Sequence, residues 1–173
     1  MIKTYDKNNE ATKLLKQAID VFANGEMVHD SLSRSAHMKG LQGFKRWHRE
    51  QSRNDRESRV KLQHYTIDLF EENLEPSWDY SVKESIDLKE HLEQYLDWEI
   101  SVYVNLGVIS NQLVAKGFTN ESDLVLGAIC GVAKEVSKIR RWLHDFEFTN
   151  YDTSYIKLVD KVLHDKIKEI EEE

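Results

Sequence analysis

The sequence predicts an all-α fold, a four-helix bundle with one long crossover connection and a short C-terminal fifth helix. Apolar residues recur at helical spacing in five segments, at about residues 9–37, 43–72, 82–116, 120–147 and 153–170. The links after the first and third helices are short, whereas the link after the second is long and contains the only proline, Pro76. Two short links on either side of one long link are typical of a bundle with a single crossover.

Composition restricts the class of protein and its surroundings. All 173 residues are expected to form one domain, and the 32% charged and 40% hydrophobic residues are typical of a globular protein. No apolar run approaches the ~20 residues of a membrane span, and a single cysteine excludes an internal disulfide. We therefore expect a cytoplasmic protein without a membrane partner. The formal net charge of −7 argues against nucleic acid as a partner.

The first two helices are expected to form an antiparallel hairpin. Asn8 or Asn9 is the candidate cap of the first helix, and Gly25 either weakens the middle of that helix or permits the close approach of a neighbour. The predicted inward face of the first helix consists of Leu15, Ile19, Phe22, Glu26, His29, Leu32 and Ala36. That of the second consists of Phe44, Trp47, Gln51, Asp55, Ser58, Leu62, Tyr65 and Leu69. Its opposite face is basic and consists of Lys45, Arg49, Arg53, Arg56 and Arg59. Phosphate binding is one interpretation of this face, but the negative net charge favours a solvated face or a subunit contact.

The third and fourth helices are expected to form a second hairpin. Ser81 and Glu84 are a candidate capping box for the third helix. Its predicted inward face consists of Leu88, Leu92, Tyr95, Glu99, Val102, Leu106, Ile109 and Leu113. That of the fourth consists of Leu124, Ala128, Gly131, Glu135, Ile139, Trp142 and Phe146. Gly127 and Gly131 are expected to permit close packing of another backbone, with a buried Cys130 between them. The fifth helix is apolar on one face, and that face needs a surface to cover.

One acidic residue interrupts the apolar face of each long helix near its midpoint. These residues are Glu26, Asp55, Glu99 and Glu135. Because the midpoints of antiparallel helices share a layer, the four carboxylates are expected to converge, and buried carboxylates must bind protons, cations or a metal. Oxygen-rich clusters with an occasional histidine suit hard cations and non-haem iron. His29, one helical turn from Glu26, is the candidate nitrogen ligand.

A run of residues around the first hairpin carries a family resemblance. It comprises Lys39-Gly40-Leu41-Gln42-Gly43-Phe44, Trp47, Gln51-Ser52, Asp55-Arg56-Glu57, Lys61-Leu62 and Tyr65. The run resembles the end of helix A and helix B of non-haem ferritins. The resemblance implies a ferritin-like fold over nearly the whole chain, a homo-oligomer such as a cage, and iron storage through a ferroxidase centre. Under this resemblance iron is the expected metal, and the expected ligands are Glu26, His29, Asp55, Glu99 and Glu135.

Several positions depart from the ferritin pattern. The family's helix-B Glu-x-x-His falls on Asp55 and Ser58, and its helix-A glutamate position falls on Phe22. Lys138 lies where the family often has further carboxylates and would act as an internal countercharge. Two hypotheses follow. The chain is either an iron-binding protein for iron storage and oxidation with a partly lost ferroxidase centre, or a metal-free ferritin-like scaffold or interaction module without enzymatic activity.

Overall fold

The computed structural model contains five α-helices. It describes residues 10–79, 83–85 and 87–172, the last four of them as backbone only. The helices are α1 (Glu10–Met38), α2 (Gln42–Phe70), α3 (Leu88–Ala115), α4 (Thr119–Phe148) and α5 (Thr153–Glu172). No strand occurs within these ranges, so the predicted all-α class is confirmed. The predicted cap at Asn8 or Asn9 lies outside the described residues.

Two hairpins and one crossover build the bundle. α1 packs along α2 and α3, and α3 packs along α4. The hairpin turns contain Gly40 and Gly117, whose φ angles of 75° and 83° lie in the left-handed region that glycine adopts most readily. α2 ends at Phe70, and the next residue, Glu71, is also left-handed with a φ of 56°. From there the chain crosses to the start of α3, as the single-crossover prediction required.

The crossover is fixed to the first hairpin by polar contacts. The Ser77 N–H donates a hydrogen bond of 2.7 Å to the carboxylate of Asp20 on α1. The guanidinium of Arg59 on α2 lies 5.4 Å from the centre of the Trp78 ring, in a cation–π contact. The crossover therefore contacts both helices of the hairpin.

The start of α3 differs from the prediction. The proposed capping box used Ser81, which lies outside the described residues, and the helix was expected from about residue 82. Residues 83–85 are not helical, and α3 begins at Leu88. The reason is a different cap, because the Asp87 carboxylate accepts a hydrogen bond of 2.9 Å from the Glu90 N–H. This contact satisfies an amide of the first turn that has no partner within the helix.

The predicted inward faces of α1 and α3 form the core. Every predicted inward residue of α3 is buried, and so is every one of α1 except Glu26. Burial of such apolar side chains stabilises the fold by roughly 1.5–3 kcal/mol each. On α2, Leu69 is exposed, contrary to the prediction, because Thr66 and Phe70 occupy the inward positions of the last turns.

α4 is packed less closely than predicted. Of its predicted inward residues only Ile139 and Phe146 are buried, and Cys130 is exposed. A Cβ atom added at Gly127 or Gly131 would meet no atom within 4 Å, so no backbone packs against these glycines. The predictions of close backbone packing and of a buried Cys130 are therefore wrong. Gly131 has no side chain and Ala128 has only a methyl group, so these positions offer too little apolar area to draw the middle of α4 onto the core.

α5 lies against α2. Leu163 and Ile167 are buried, and the Asp160 carboxylate accepts a hydrogen bond of 2.9 Å from the Phe44 N–H at the start of α2. Leu158 and Val162 remain exposed. Within the described ranges, the structure contains no helix with the length and apolar character needed to cross a membrane.

Candidate metal centre

Four of the five predicted ligands line one cavity at mid-bundle. The cavity has a volume of about 240 Å³ and is lined by residues of all four long helices. His29, Asp55, Glu99 and Glu135 come from α1, α2, α3 and α4 respectively, so each helix contributes one titratable side chain. The other lining residues are Phe22, Gln51, Asn54, Ser58, Gly127, Ala128, Gly131 and Val132.

His29 faces two carboxylates. Its Nε2 atom lies 3.2 Å from Oε1 of Glu99 and 3.6 Å from Oδ2 of Asp55. Burial alone would lower the pKa of His29, but the hydrogen bond to Glu99 and the charges of Asp55, Glu99 and Glu135 outweigh burial and raise this pKa. The cavity therefore favours the positively charged form of His29.

Asp55 has no cationic partner other than His29 in the cavity contacts described. Burial raises the pKa of Asp55, the charge of His29 opposes this, and the charges of Glu99 and Glu26 add to it, which brings the pKa to about 7. Gly25 of α1 lies directly against the Asp55 carboxylate, and a Cβ there would collide with it. Gly25 thus permits the close approach of a neighbour, and that neighbour is Asp55.

Glu135 belongs to a polar cluster on the α4 side of the cavity. The Tyr95 hydroxyl donates a hydrogen bond of 3.2 Å to Glu135 and accepts one of 3.1 Å from the indole N–H of Trp47. Lys138 donates to Glu135 at 3.3 Å, and its Nζ lies 3.9 Å from the centre of the Trp47 ring. Burial raises the pKa of Glu135, and Lys138 opposes that shift. Lys138 is therefore a countercharge for Glu135.

Glu26, the fifth predicted ligand, does not line the cavity. Its carboxylate accepts a hydrogen bond from the Arg59 guanidinium, and Arg56 lies 3.9 Å away. Arg59 belongs to the basic face that we expected to be solvated, yet its side chain reaches across to α1. Because Glu26 is bound by arginine, the structure does not bring it together with the other four residues.

Two further histidines extend from the cavity into the core. His29 Nδ1 lies 3.4 Å from His48 Nδ1, and His48 Nε2 lies 2.9 Å from His91 Nε2. Burial and the neighbouring histidines hold the pKa of His48 well below its usual value, and burial and Lys39 lower that of His91 to about 4. Sequence reasoning missed this series of three histidines. The only signal was that His48 and His91 each adjoin an inward-facing residue.

The four side chains are of the chemical types that bind a divalent cation, but their positions in the structure do not yet form a binding site. Three carboxylates and one imidazole match the preferences of iron(II). Ligands bonded to one ion at ~2.1 Å lie about 3.0–3.4 Å apart, close to the 3.2 and 3.6 Å between His29 and its two carboxylates. In the part of the chain that the structure describes, however, no three His, Cys, Asp or Glu side chains converge closely enough to hold a metal ion. Binding of a cation therefore requires side-chain rotation within the cavity.

Solved structures of ferritins share this architecture. An engineered closed form of the Archaeoglobus fulgidus ferritin superposes with a TM-score of 0.82 at 12% identity, over 92% of this chain and 97% of that one. The open-pore ferritin of the same hyperthermophilic archaeon gives a TM-score of 0.82 at 12% identity, over 93% and 97%. A humanized archaeal ferritin gives 0.83 at 12% identity, over 92% and 98%. No protein-family model and no curated protein matches the sequence. The chain therefore has the ferritin-like fold, as the residues of its first hairpin predicted.

Proposed function

We propose that the chain binds iron(II) in the mid-bundle cavity. The ion would be the substrate of a ferroxidase centre that has lost some of its ligands. The proposal rests on one observation, namely that three carboxylates and one imidazole from four helices face a single cavity of about 240 Å³. The ligands in this proposal are His29, Asp55, Glu99 and Glu135. Glu26 takes no part because Arg59 binds it.

The charges around the cavity favour uptake of a divalent cation. Asp55, Glu99 and Glu135 carry up to three negative charges, and the neighbouring cations are His29 and Lys138. A cation that takes the place of protons on His29 and Asp55 gains ligands without leaving unpaired carboxylates behind. Binding should therefore release protons and strengthen as the pH rises.

Among divalent cations we propose iron(II) because the solved structures that share this fold are ferritins. We expect one ion per chain rather than two, because Phe22 and Ser58 occupy the positions of the helix-A glutamate and the helix-B histidine. In this proposal bound iron(II) is oxidised by oxygen or peroxide, and storage of the product takes place in a homo-oligomer.

Glu99→Gln tests the proposal by removing the nearer of the two carboxylates that face His29. The chelator-treated protein is titrated anaerobically with iron(II) at pH 7.5 in a calorimeter, and the titration is repeated in buffers of different ionisation enthalpy. We expect about one ion per wild-type chain with proton release, and at least ~10-fold weaker binding in the variant.

The matched control is Glu93→Gln, which changes an exposed glutamate on the same helix, 53% exposed. Its affinity for iron(II) should equal that of the wild type. Absence of binding by the wild type, or equal weakening in both variants, would contradict the proposal.

A metal-free scaffold is the second candidate, and the ion pairs favour it. Glu26 is paired with Arg59, Glu99 with His29, and Glu135 with Lys138. Asp55 has a pKa of about 7 and keeps its proton below that pH. The cavity can thus be neutralised without a metal. If the scaffold hypothesis is correct, the wild-type protein takes up no iron(II) in the titration above.

A further inference from the structure

The space between α2 and α4 opens the cavity to solvent from the side. The buried faces of α1 and α3 are continuous along their helices. By contrast, α4 has no buried residue between Val125 and Ile139. Gly127 and Gly131 line the cavity, and each faces open space, because an added Cβ would meet no atom within 4 Å. We call this opening, between residues 51–62 of α2 and 124–135 of α4, the α2–α4 crevice.

The four titratable side chains lie at graded depths below the α2–α4 crevice. Asp55 on α2 and Glu135 on α4 have side chains that are 22% and 16% exposed. Glu99 on α3 and His29 on α1 are 6% and 2% exposed. Two carboxylates from facing helices thus stand nearest the solvent, and the deeper carboxylate and imidazole lie behind them.

The neighbouring helix contacts are closed at this level. Between α1 and α2, Gly25 touches the Asp55 carboxylate and Arg59 binds Glu26. Between α1 and α3, the rings of His29 and Tyr95 pack edge to face with their centres 5.4 Å apart. Between α3 and α4, the Tyr95 hydroxyl donates a hydrogen bond to Glu135. A solute that reaches the cavity from the side therefore meets the fewest obstacles between α2 and α4.

A second cavity extends the α2–α4 crevice along the helices. It has a volume of about 250 Å³ and shares Phe22, Ser58, Gly127 and Ala128 with the first. Its other lining residues are Lys61, Leu62 and Leu124. Because four residues border both cavities, the open space continues beyond the site toward the N-terminal half of α4.

We propose that the cation enters and leaves the site sideways through the α2–α4 crevice, passing Asp55 and Glu135 before it reaches Glu99 and His29. This inference rests on the proposed function for the identity of the ion. Gly127 and Gly131 keep the passage open, since they are the lining positions of α4 without a side chain. They contribute no ligand, so they control the rate of exchange and not the affinity.

Gly131→Leu tests the passage by placing a side chain in the α2–α4 crevice. Anaerobic iron(II) is mixed with the chelator-treated protein in a stopped-flow instrument, and binding is followed by quenching of tryptophan fluorescence. We expect the association and dissociation rate constants to fall together by at least tenfold, with the dissociation constant within twofold of wild type. Gly127→Leu should act in the same direction.

The matched control is Gly107→Leu on α3, where an added Cβ also meets no atom within 4 Å but the residue does not line the cavity. Its rate constants should equal those of the wild type. Unchanged association in both Gly131→Leu and Gly127→Leu, with helix content and melting temperature preserved, would overturn the inference.

A second readout does not depend on metal. Dicyclohexylcarbodiimide is uncharged and adds to a protonated carboxyl, with the carboxyl oxygen bonding to the central carbon and the proton moving to nitrogen. At pH 5.5 we expect labelling of Asp55, read by peptide mass spectrometry, to fall at least fivefold in Gly131→Leu and not in Gly107→Leu. Equal labelling in both variants would overturn the inference. If the wild type binds no iron(II) but labelling still falls selectively, the proposed function fails and the passage stands.

Discussion

The protonation of His29 fixes where positive charge lies in the core. Its Nε2 faces two carboxylates and must carry a hydrogen, while its Nδ1 faces His48, whose pKa is held well below the usual value. A neutral His48 that accepts from His29 through Nδ1 has its hydrogen on Nε2 and donates it to His91. The remaining hydrogen is then on Nδ1 of His91, an atom without a hydrogen-bond partner in the described residues. The positive charge therefore stays on His29, at the cavity end of the three histidines and beside the carboxylates.

Asp55→Asn should make stability less dependent on pH. The pKa of Asp55 is raised from 3.8 to about 7 in the folded protein, so folding becomes less favourable as the pH rises through this interval. The raised pKa of His29 acts in the same direction, because its stabilising proton is lost as the pH rises through the folded-state value. In urea unfolding of metal-free protein, wild-type stability should fall between pH 5 and pH 8. The variant should fall less and be more stable at pH 8 by about 1–3 kcal/mol.

The control for this measurement is Glu57→Gln, on the same helix as Asp55 and 71% exposed. Its stability should follow the wild-type pH dependence, since an exposed carboxylate gains little from the fold. If the stability of Asp55→Asn fell with pH as steeply as that of the wild type, Asp55 would not be the group that binds the proton.

At the scale of the helix, periodicity predicted position well and packing less well. α3 carries large apolar residues at every inward position except Glu99, and the structure buries all of its inward residues. α4 has the same spacing but places Ala128 and Gly131 at its centre. Its periodicity is therefore correct, but the middle of the helix is only partly buried. Spacing reports which residues share a face. It does not report whether their side chains are large enough to close the space to the next helix.

In the candidate site, too, the sequence predicted which residues face inward but not which residues they contact. The sequence placed His29, Asp55, Glu99 and Glu135 on inward faces at mid-helix, and the structure brings them to one cavity. Glu26 was predicted by the same rule but is bound by Arg59. A long arginine side chain reaches a neighbouring helix from the edge of a solvated face, and periodicity contains no information about that reach.

Gly43→Ala should weaken the attachment of α5 to α2. A Cβ at Gly43 would collide with the backbone carbonyl of Asp160, and a backbone atom cannot rotate away as a side chain can. α5 must then move, which strains the hydrogen bond between Asp160 and the Phe44 N–H. We expect urea unfolding to show a loss of about 1–3 kcal/mol. Gly107→Ala, where the added Cβ meets nothing within 4 Å, should instead gain up to ~1 kcal/mol from helix propensity. Equal effects of the two changes would refute this account of α5.

Over the whole molecule, close packing and openness are separated. α1 packs closely along α2, and α3 along α4, whereas the middle of α4 stands apart from α2 and leaves the carboxylates of Asp55 and Glu135 within reach of solvent. This asymmetry joins the two proposals. A cavity sealed on all sides would hold its carboxylates neutral, but a cavity open on one side can exchange protons for a cation.

The outer surface of α3 carries the last prediction, on self-association. Val104 and Val108 are exposed on α3, at 54% and 50%. They lie one turn apart on one face, and clustered exposed apolar residues mark interaction surfaces. Since a homo-oligomer is the expected assembly, Val108→Glu should shift the protein to a smaller species in size-exclusion chromatography with light scattering, while helix content is unchanged. Val114→Glu, equally exposed at 52% but on another face of α3, should leave the size as in wild type. A monomeric wild type, or a size that Val108→Glu does not alter, would mean that this face is not the subunit contact.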